Sequence, residues 1–399
     1  MRISPFILLC ATGFFGIFSS TISKSPVLPL FTAHLGGGHF DIGLVASVSA
    51  FVGIVASLPA GIFSDIIGRK KMLIVSALIF STAPFLYLFV TTIWQLMLVR
   101  FYHGFATAIF VPIAMAYVSE LFDKARGEKL GWFSTSTLIG RFIAPTVGGV
   151  IISLLVFSPP LSLKAVYIVC AIAGIITFVL AWRIPNPVTP HKKNPQDKID
   201  GEEIWKFFKK VISHKPILIT SLIEACMLFS YGTFETFLPL FLVEKGHSAY
   251  EIGIFFSAQI ITLAMTKPFM GKFSDKHGRK PQIIAGTFLG AVCLGALPLC
   301  EGFLFLLIIS ILFGLSLSIV TSATSAYIAD LSKKELYGSS MGLLGTIMDM
   351  GYTTGPLISG IVAHQLSVEI SFLAASAIVA FTGIYFMILL GMKEERINK

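Results

Sequence analysis

The sequence predicts an all-α membrane protein, with twelve transmembrane helices arranged as two pseudo-symmetric six-helix bundles. Three observations carry this prediction. Of 399 residues, 55% are apolar and only 13% charged, against roughly 25% charged in an ordinary water-soluble domain. Twelve runs each approach the roughly 20 apolar residues that a helix needs to cross a bilayer. The same short words then recur at a constant spacing in the two halves of the chain. The composition argues against a water-soluble enzyme, and the net charge of +9 is read against a membrane rather than against nucleic acid.

The first run, 5–30, contains Lys24. Its apolar stretch is longer than the roughly 7–15 residues of a cleaved secretory signal, so it reads as a helix. The second run, 41–63, and the third, 72–92, flank a short loop with Arg69, Lys70 and Lys71. The fourth, 94–119, carries Arg100, His103 and Gly104, and the fifth, 131–155, carries Gly131, Gly140, Arg141, Pro145, Gly148 and Gly149. The sixth spans 165–183. A polar connection over 184–216 follows, with Pro185, Pro187 and Pro190 and then the segment GEEIWKFFKKVISHK. Its Ile204, Trp205, Phe208, Val211 and Ile212 fall near helical spacing, which fits an amphipathic surface helix; a solvated linker with a short helix is the other reading. The seventh run, 217–242, carries Glu224 and Glu235, and the eighth, 250–270, carries Lys267. The ninth covers 282–300. The tenth, 303–329, is rich in hydroxyls at Ser316, Ser318, Thr321, Ser322, Thr324 and Ser325. The eleventh, 339–363, holds Asp349, and the twelfth covers 370–391. The expected domains are therefore 1–183 and 217–399, joined by the linker 184–216.

Basic residues are retained on the cytoplasmic side of a membrane. With a cytoplasmic N-terminus, the external loops hold only Lys164 and Lys245, while the remaining loops and ends are rich in Lys and Arg. Both termini are thus expected in the cytoplasm, in a multi-pass protein of the plasma or bacterial inner membrane. The five cysteines, Cys10, Cys170, Cys226, Cys293 and Cys300, lie singly in apolar runs without metal-ligand spacing. Neither a disulfide framework nor a metal is expected, and no cofactor.

The halves match in detail. Gly61, Ser64, Asp65, Gly68, Arg69 and Lys70 recur as Gly271, Ser274, Asp275, Gly278, Arg279 and Lys280, each 210 residues on. Leu28-Pro29-Leu30-Phe31 recurs as Leu238-Pro239-Leu240-Phe241, and Gly104 and Tyr117 recur as Gly314 and Tyr327 at the same offset. Gly131, Gly140, Pro145 and Gly149 match Gly342, Gly351, Pro356 and Gly360 at 211. Parallel repeats of six helices, related by an axis along the membrane normal, are an architecture of secondary transporters.

The words GIFSDIIGRKK (61–71) and GKFSDKHGRK (271–280) resemble the signature loop of the major facilitator superfamily, GxxxDxxGRK, in both of its expected places. The resemblance covers essentially the whole chain. It implies a gating role in which Asp65, Arg69, Asp275 and Arg279 hold the halves together when the transporter is open outward. Physically, Gly68 and Gly278 allow a turn with positive φ, and the Asp at a helix end can accept hydrogen bonds. Arg100 and Gly104 resemble the RxxxG element of the family's fourth helix. Gly131 to Gly149 resembles the fifth-helix element of its drug and proton antiporter branch, departing from it with Ala144 where glycine is usual and with Arg141 inside the element. Small residues at such spacing let helices approach closely, and proline permits a bend.

Ionisable groups inside a membrane cost on the order of 2.5–3.5 kcal/mol each and mark functional positions. Seven occur in the spans: Lys24, Arg100, Arg141, Glu224, Glu235, Lys267 and Asp349. The family fold implies that helices 1, 4, 7 and 10 line a central cavity, which would include Lys24, Arg100, Glu224 and Glu235. By the repeat offset Lys24 corresponds to Phe234, beside Glu235, so the two are expected at similar depth and are candidates for a pair that forms and separates. Glu224 and Lys267 are expected to form a structural ion pair. Phe14, Phe15, Phe18, Tyr231, Phe234 and Phe237 suit an apolar substrate; aromatic side chains of a membrane helix that simply face lipid are the other reading. The leading reading is proton-coupled efflux of drug-like or amphipathic small molecules by a monomer. Proton symport of an organic anion or sugar is the second, and a non-transporting receptor of the same fold the third. The chain lacks GxxxxGK[ST], HExxH and any convincing nucleophile arrangement, so an enzyme is not expected.

Overall fold

A computed structural model describes residues 4–122, 125–155, 157–186, 215–332 and 337–391. The expected amphipathic helix at 204–212 lies outside the described residues. The long helices are α1 (Pro5–Ile22), α2 (Val27–His34), α3 (His39–Ile67), α4 (Arg69–Tyr87), α5 (Ile93–Leu121), α6 (Arg126–Leu154) and α7 (Pro159–Arg183) in the first half. The second half contributes α8 (Lys215–Glu244), α9 (Ala249–His277), α10 (Arg279–Ala296), α11 (Phe303–Leu331), α12 (Tyr337–Gln365) and α13 (Val368–Gly391). Among the described residues, 11 helical segments are long and apolar enough to cross a membrane, α1 and α2 counting as one span, Pro5–His34. The helix α12 occupies the place of the expected eleventh span and reaches 29 residues, with glycines, threonines and Asp349 diluting its apolar content.

The first span is not one continuous helix. The chain leaves α1 at Ile22 and re-enters helix at Val27, with Lys24 and Ser25 both donating backbone N–H bonds to Thr21 O, at 3.0 and 3.1 Å. Pro26 has no N–H to continue the ladder and restricts the residue before it. A polar turn is therefore set within an otherwise apolar span.

Contacts gather the described residues into two compact units. The first takes those of 1–192 together with 235–257, and the second those of 193–234 together with 258–399. The first unit is built on α4 packed between α5 and α7, with α1 against α6 and α7. Its core is aromatic and aliphatic, including Phe80, Phe110, Ile113 and Tyr117. The second unit repeats the plan, with α10 packed between α11 and α13.

The repeat also governs close approaches. A Cβ on Gly104 would stand 3.0 Å from Ser49 O, and one on Gly314 would strike Gln259 O, with 49 and 259 again 210 apart. Gly140 lies under Phe14 O and Gly351 under Ala225 O, at the 211 offset. Helix starts match as well, since Gly38 N donates to Asp41 at 3.0 Å and Ser248 N to Glu251 at 2.7 Å.

Candidate functional site

Lys24 and Ser25 occupy the turn between α1 and α2, and Ser25 Oγ donates to Glu235 Oε1 at 3.0 Å. Lys24 and Glu235 are both half-buried. Unwound backbone inside a span is tolerated where it is buried in protein or lines a cavity, and such breaks are where transporters handle charged cargo. Ser25 ties Glu235 to this break. Its signal in the sequence is its place directly after Lys24, the one lysine of the first span.

Arg100 is 2% exposed. Its Nη2 donates to Ser49 Oγ on α3 and its Nη1 to Tyr87 OH on α4 at 3.4 Å. Tyr87 OH is in turn 3.3 Å from His103 Nδ1, and its ring stacks on Tyr167 of α7 at 4.2 Å. The guanidinium is thus knit into the packing of α3, α4, α5 and α7. The planar fork of arginine can serve two helices at once.

Glu224 on α8 is fully buried and accepts a bond from Thr324 Oγ1 on α11. The expected Glu224–Lys267 ion pair is absent among the described residues. Similar depth does not fix rotation about the helix axis: Thr324 takes the contact, and Lys267 is exposed on α9. Arg141 on α6 and Asp349 on α12 are exposed.

The duplicated loops carry matching ion networks, each within its own unit. Gly68 has φ +106 and Gly278 φ +91, which only glycine adopts without strain, and each turn joins two helices directly. Arg69 pairs with Asp65, reaches Glu120 at 2.9 Å and donates to Ser64 Oγ. Arg279 pairs with Asp275 at 2.6 Å, reaches Asp330 at 3.0 Å and donates to Ser274 Oγ. Each arginine therefore fastens three helix ends, those of α3, α4 and α5 or of α9, α10 and α11. Ser64 and Ser274 in turn donate to Gly61 O and Gly271 O, at 2.6 and 2.9 Å. Lys70 and Lys280 stand in the first turns of α4 and α10. Glu120 and Asp330 were not singled out from sequence, yet they keep the 210 spacing and could have been found by it.

The α6 element turns two faces to its neighbours. Gly140 meets α1 beneath Phe14 O, and Gly148 meets Ile22, Pro26 and Val27 around the broken span. Gly149 meets Ala249 O, while Pro145 O lies over Gly253 of α9. Hydroxyls close this second seam: Thr146 Oγ1 is 2.7 Å from Ser257 Oγ, and Ser257 donates to Phe142 O at 2.7 Å. Gly131 faces open space. Ala144 is fully buried, whereas its counterpart Gly355 lies under Phe229 O with no room for a side chain.

Known proteins share this plan. The family model described as Major Facilitator Superfamily matches residues 8–261 and 220–399. The multi-drug resistance efflux pump PmrA of Streptococcus pneumoniae is 26% identical, over 96% of this chain and 97% of its own. Multidrug resistance protein 2 of Bacillus subtilis is 25% identical, over 88% and 86%. The solved structure of the nucleoside transporter NupG, a D323A mutant, superposes with TM-score 0.77 at 16% identity, covering 96% of this chain and 99% of that one. With its fold, its paired loops and its whole-length match in agreement, the chain belongs to the Major Facilitator Superfamily and is a multi-pass membrane transporter of small molecules, not an enzyme.

Proposed function

We propose that this transporter exports drug-like or amphipathic small molecules by alternating access, driven by protons. The halves 1–183 and 217–399 rock about a midplane site while 184–216 links them. The observation that carries the reading is the break in the first span, where Lys24 stands beside Ser25 and Ser25 holds Glu235 at 3.0 Å. A carboxylate whose basic neighbour approaches and withdraws changes its proton affinity across a wide range, which is what coupling requires. Lys24 and Glu235 carry the coupling, and Arg141, Asp349 and Glu224 are further charged positions of the pathway. Arg100, inside its helix packing, holds the first unit's geometry. The resemblance of the α6 element to the antiporter branch supports export, as do the printed names of the two relatives with drug resistance or efflux in them. The protein works as a monomer in the plasma or bacterial inner membrane with both termini cytoplasmic, as the distribution of Lys and Arg indicates.

Purified protein in liposomes, challenged with lipophilic cations, organic anions and sugars, tests this reading. Substrate-driven proton flux with the cations, lost in Glu235→Gln, is the expected result. Undiminished coupling in that variant would sink the role of Glu235. A second reading, proton symport of an organic anion, draws on the cation Lys24 in the broken span; flux with anions alone would favour it.

A further inference from the structure

The turns that lead into α3 and α9 are copies of one another, and the second carries a histidine where the first has glycine. Gly36 and Gly246 have φ +83 and φ +85. Gly37 N donates to Thr32 O at 3.0 Å, and His247 N to Leu242 O at 2.9 Å. Asp41 and Glu251 then close the two helix starts. The backbone is the same and the imidazole is new. It is sheltered, with its side chain 13% exposed and its Nδ1 3.4 Å from Glu251 Oε2. The ring sets its edge against Phe255, 6.1 Å between centroids, at a position where the first copy has Val45.

Glu251 is a shared acceptor. It takes bonds from Ser248 N at 2.7 Å and Ser248 Oγ at 3.0 Å, while its own N–H donates to Ser248 Oγ at 3.3 Å, a reciprocal cap of the first turn. A carboxylate only accepts, so Nδ1 of His247 carries the proton that faces it. At 3.4 Å a neutral ring makes a slack contact, whereas an imidazolium draws the carboxylate toward the roughly 2.7–2.9 Å of a charge-assisted bond. Histidine changes charge between about pH 5 and 8. The other ionisable groups of the turn, Glu244 and Lys245 on the α8 side and Tyr250 on the α9 side, are exposed, with Lys245 Nζ over the Phe241 ring at 5.7 Å. The facing end of α6 has no ionisable residue from Phe142 to Leu154. Among the described residues, Glu251 is the carboxylate within ion-pair distance of His247.

The residues that this cap holds are the ones that dock on α6. Ala249 O lies against Gly149, Tyr250 N donates to Ser153 Oγ at 2.9 Å, and Gly253 and Ser257 continue the seam one and two turns on. The Tyr250 N–H belongs to a first turn, where amides have no acceptor inside their own helix, so either α6 or water must take it. The stretch 235–257 accordingly gathers with the first unit, apart from the rest of its own half.

We propose that His247 and Glu251 form a proton-operated lock on the seam between α6 and the start of α9. Protonation of His247 tightens the cap, and the docked seam is favoured below the histidine range and released as pH rises through it. On the orientation proposed above this turn faces outside, so external acid holds the exit closed; that consequence rests on the alternating-access reading, while the lock itself does not. Hydrogen exchange of the reconstituted protein tests it, with wild type and His247→Gln compared at the same pH so that the intrinsic chemical rate cancels. At pH 5.5 the amides of 249–252 should exchange several-fold more slowly in wild type than in the variant, and at pH 8 the two should agree. Glu251→Gln, which keeps an acceptor for the cap and removes the charge, should behave as His247→Gln does. The α6 stretch 146–154 should follow the same pH dependence in the same samples. A wild-type to variant ratio that does not change with pH overturns the lock, and so does a Glu251→Gln protein that keeps the wild-type pH dependence. A change confined to 249–252, with 146–154 unaffected, also overturns it, because the pair would then only stiffen its own helix end. The readout needs no substrate, so pH-dependent protection in a protein that moves none of the compounds supports the lock and refutes the export reading alone.

Discussion

Glu120 and Asp330 occupy the same place in the two repeats and meet their arginines at nearly the same distance, 2.9 and 3.0 Å. Their exposure to solvent differs. The Arg69 and Glu120 side chains are 17% and 18% exposed, while those of Arg279 and Asp330 are 19% and 56% exposed. Exposed ion pairs contribute only about 0.2–1 kcal/mol, whereas a sheltered hydrogen bond to a charged group contributes about 1.5–3 kcal/mol. Glu120→Ala is therefore expected to cost about 2 kcal/mol and Asp330→Ala about 0.5 kcal/mol. Equilibrium unfolding in mixed detergent micelles measures both, and a double-mutant cycle with Arg69→Ala or Arg279→Ala isolates each pairwise contribution. Added salt should shrink the Asp330 coupling more than the Glu120 coupling, because screening acts on the solvated pair. Equal costs, or a larger cost at Asp330, would refute the argument that solvent exposure rather than contact geometry sets the strength of these latches.

Three further outcomes follow from the same geometry. Gly314→Ala drives a methyl into Gln259 O and should cost about 1–3 kcal/mol as overpacking, while Gly61→Ala meets nothing within 4 Å and should be neutral or stabilising; thermal melts of the two variants compare them. Arg100→Lys should destabilise the first unit by about 2 kcal/mol, since one ammonium cannot reproduce the fork to Ser49 and Tyr87, and protease resistance of the variant reports it. Ser25→Ala removes the hydrogen bond to Glu235 and should shift the pH profile of substrate-driven proton flux, with unfolding little changed.

Much of this organisation was legible in the sequence because it is periodic. Hydropathy located the spans, and the 210-residue repeat located both loops, the glycines that need positive φ and the glycines at helix crossings. Partner choice was less legible. The run 5–30 read as one helix, although Pro26 signalled the break that sets Lys24 and Ser25 in a turn. The partners of Arg100 were not legible, because Ser49 and Tyr87 come from α3 and α4 and only the crossing of those helices with α5 brings them to it. Glu224 and Lys267 matched in depth, yet rotation about the helix axis gave the contact to Thr324. Glu120 and Asp330 lie at the ends of apolar runs, where a carboxylate reads as solvated until a folded loop brings an arginine to it.

The central claim is that a proton gradient drives substrate movement through this protein. The most direct measurement imposes a pH difference across proteoliposomes, acid inside, in an orientation-controlled reconstitution whose cytoplasmic face is outward, and follows accumulation of a fluorescent lipophilic cation. Accumulation above equilibrium that a protonophore abolishes and Glu235→Gln prevents is the predicted result. Accumulation that is the same with and without the gradient, in folded protein, would contradict it.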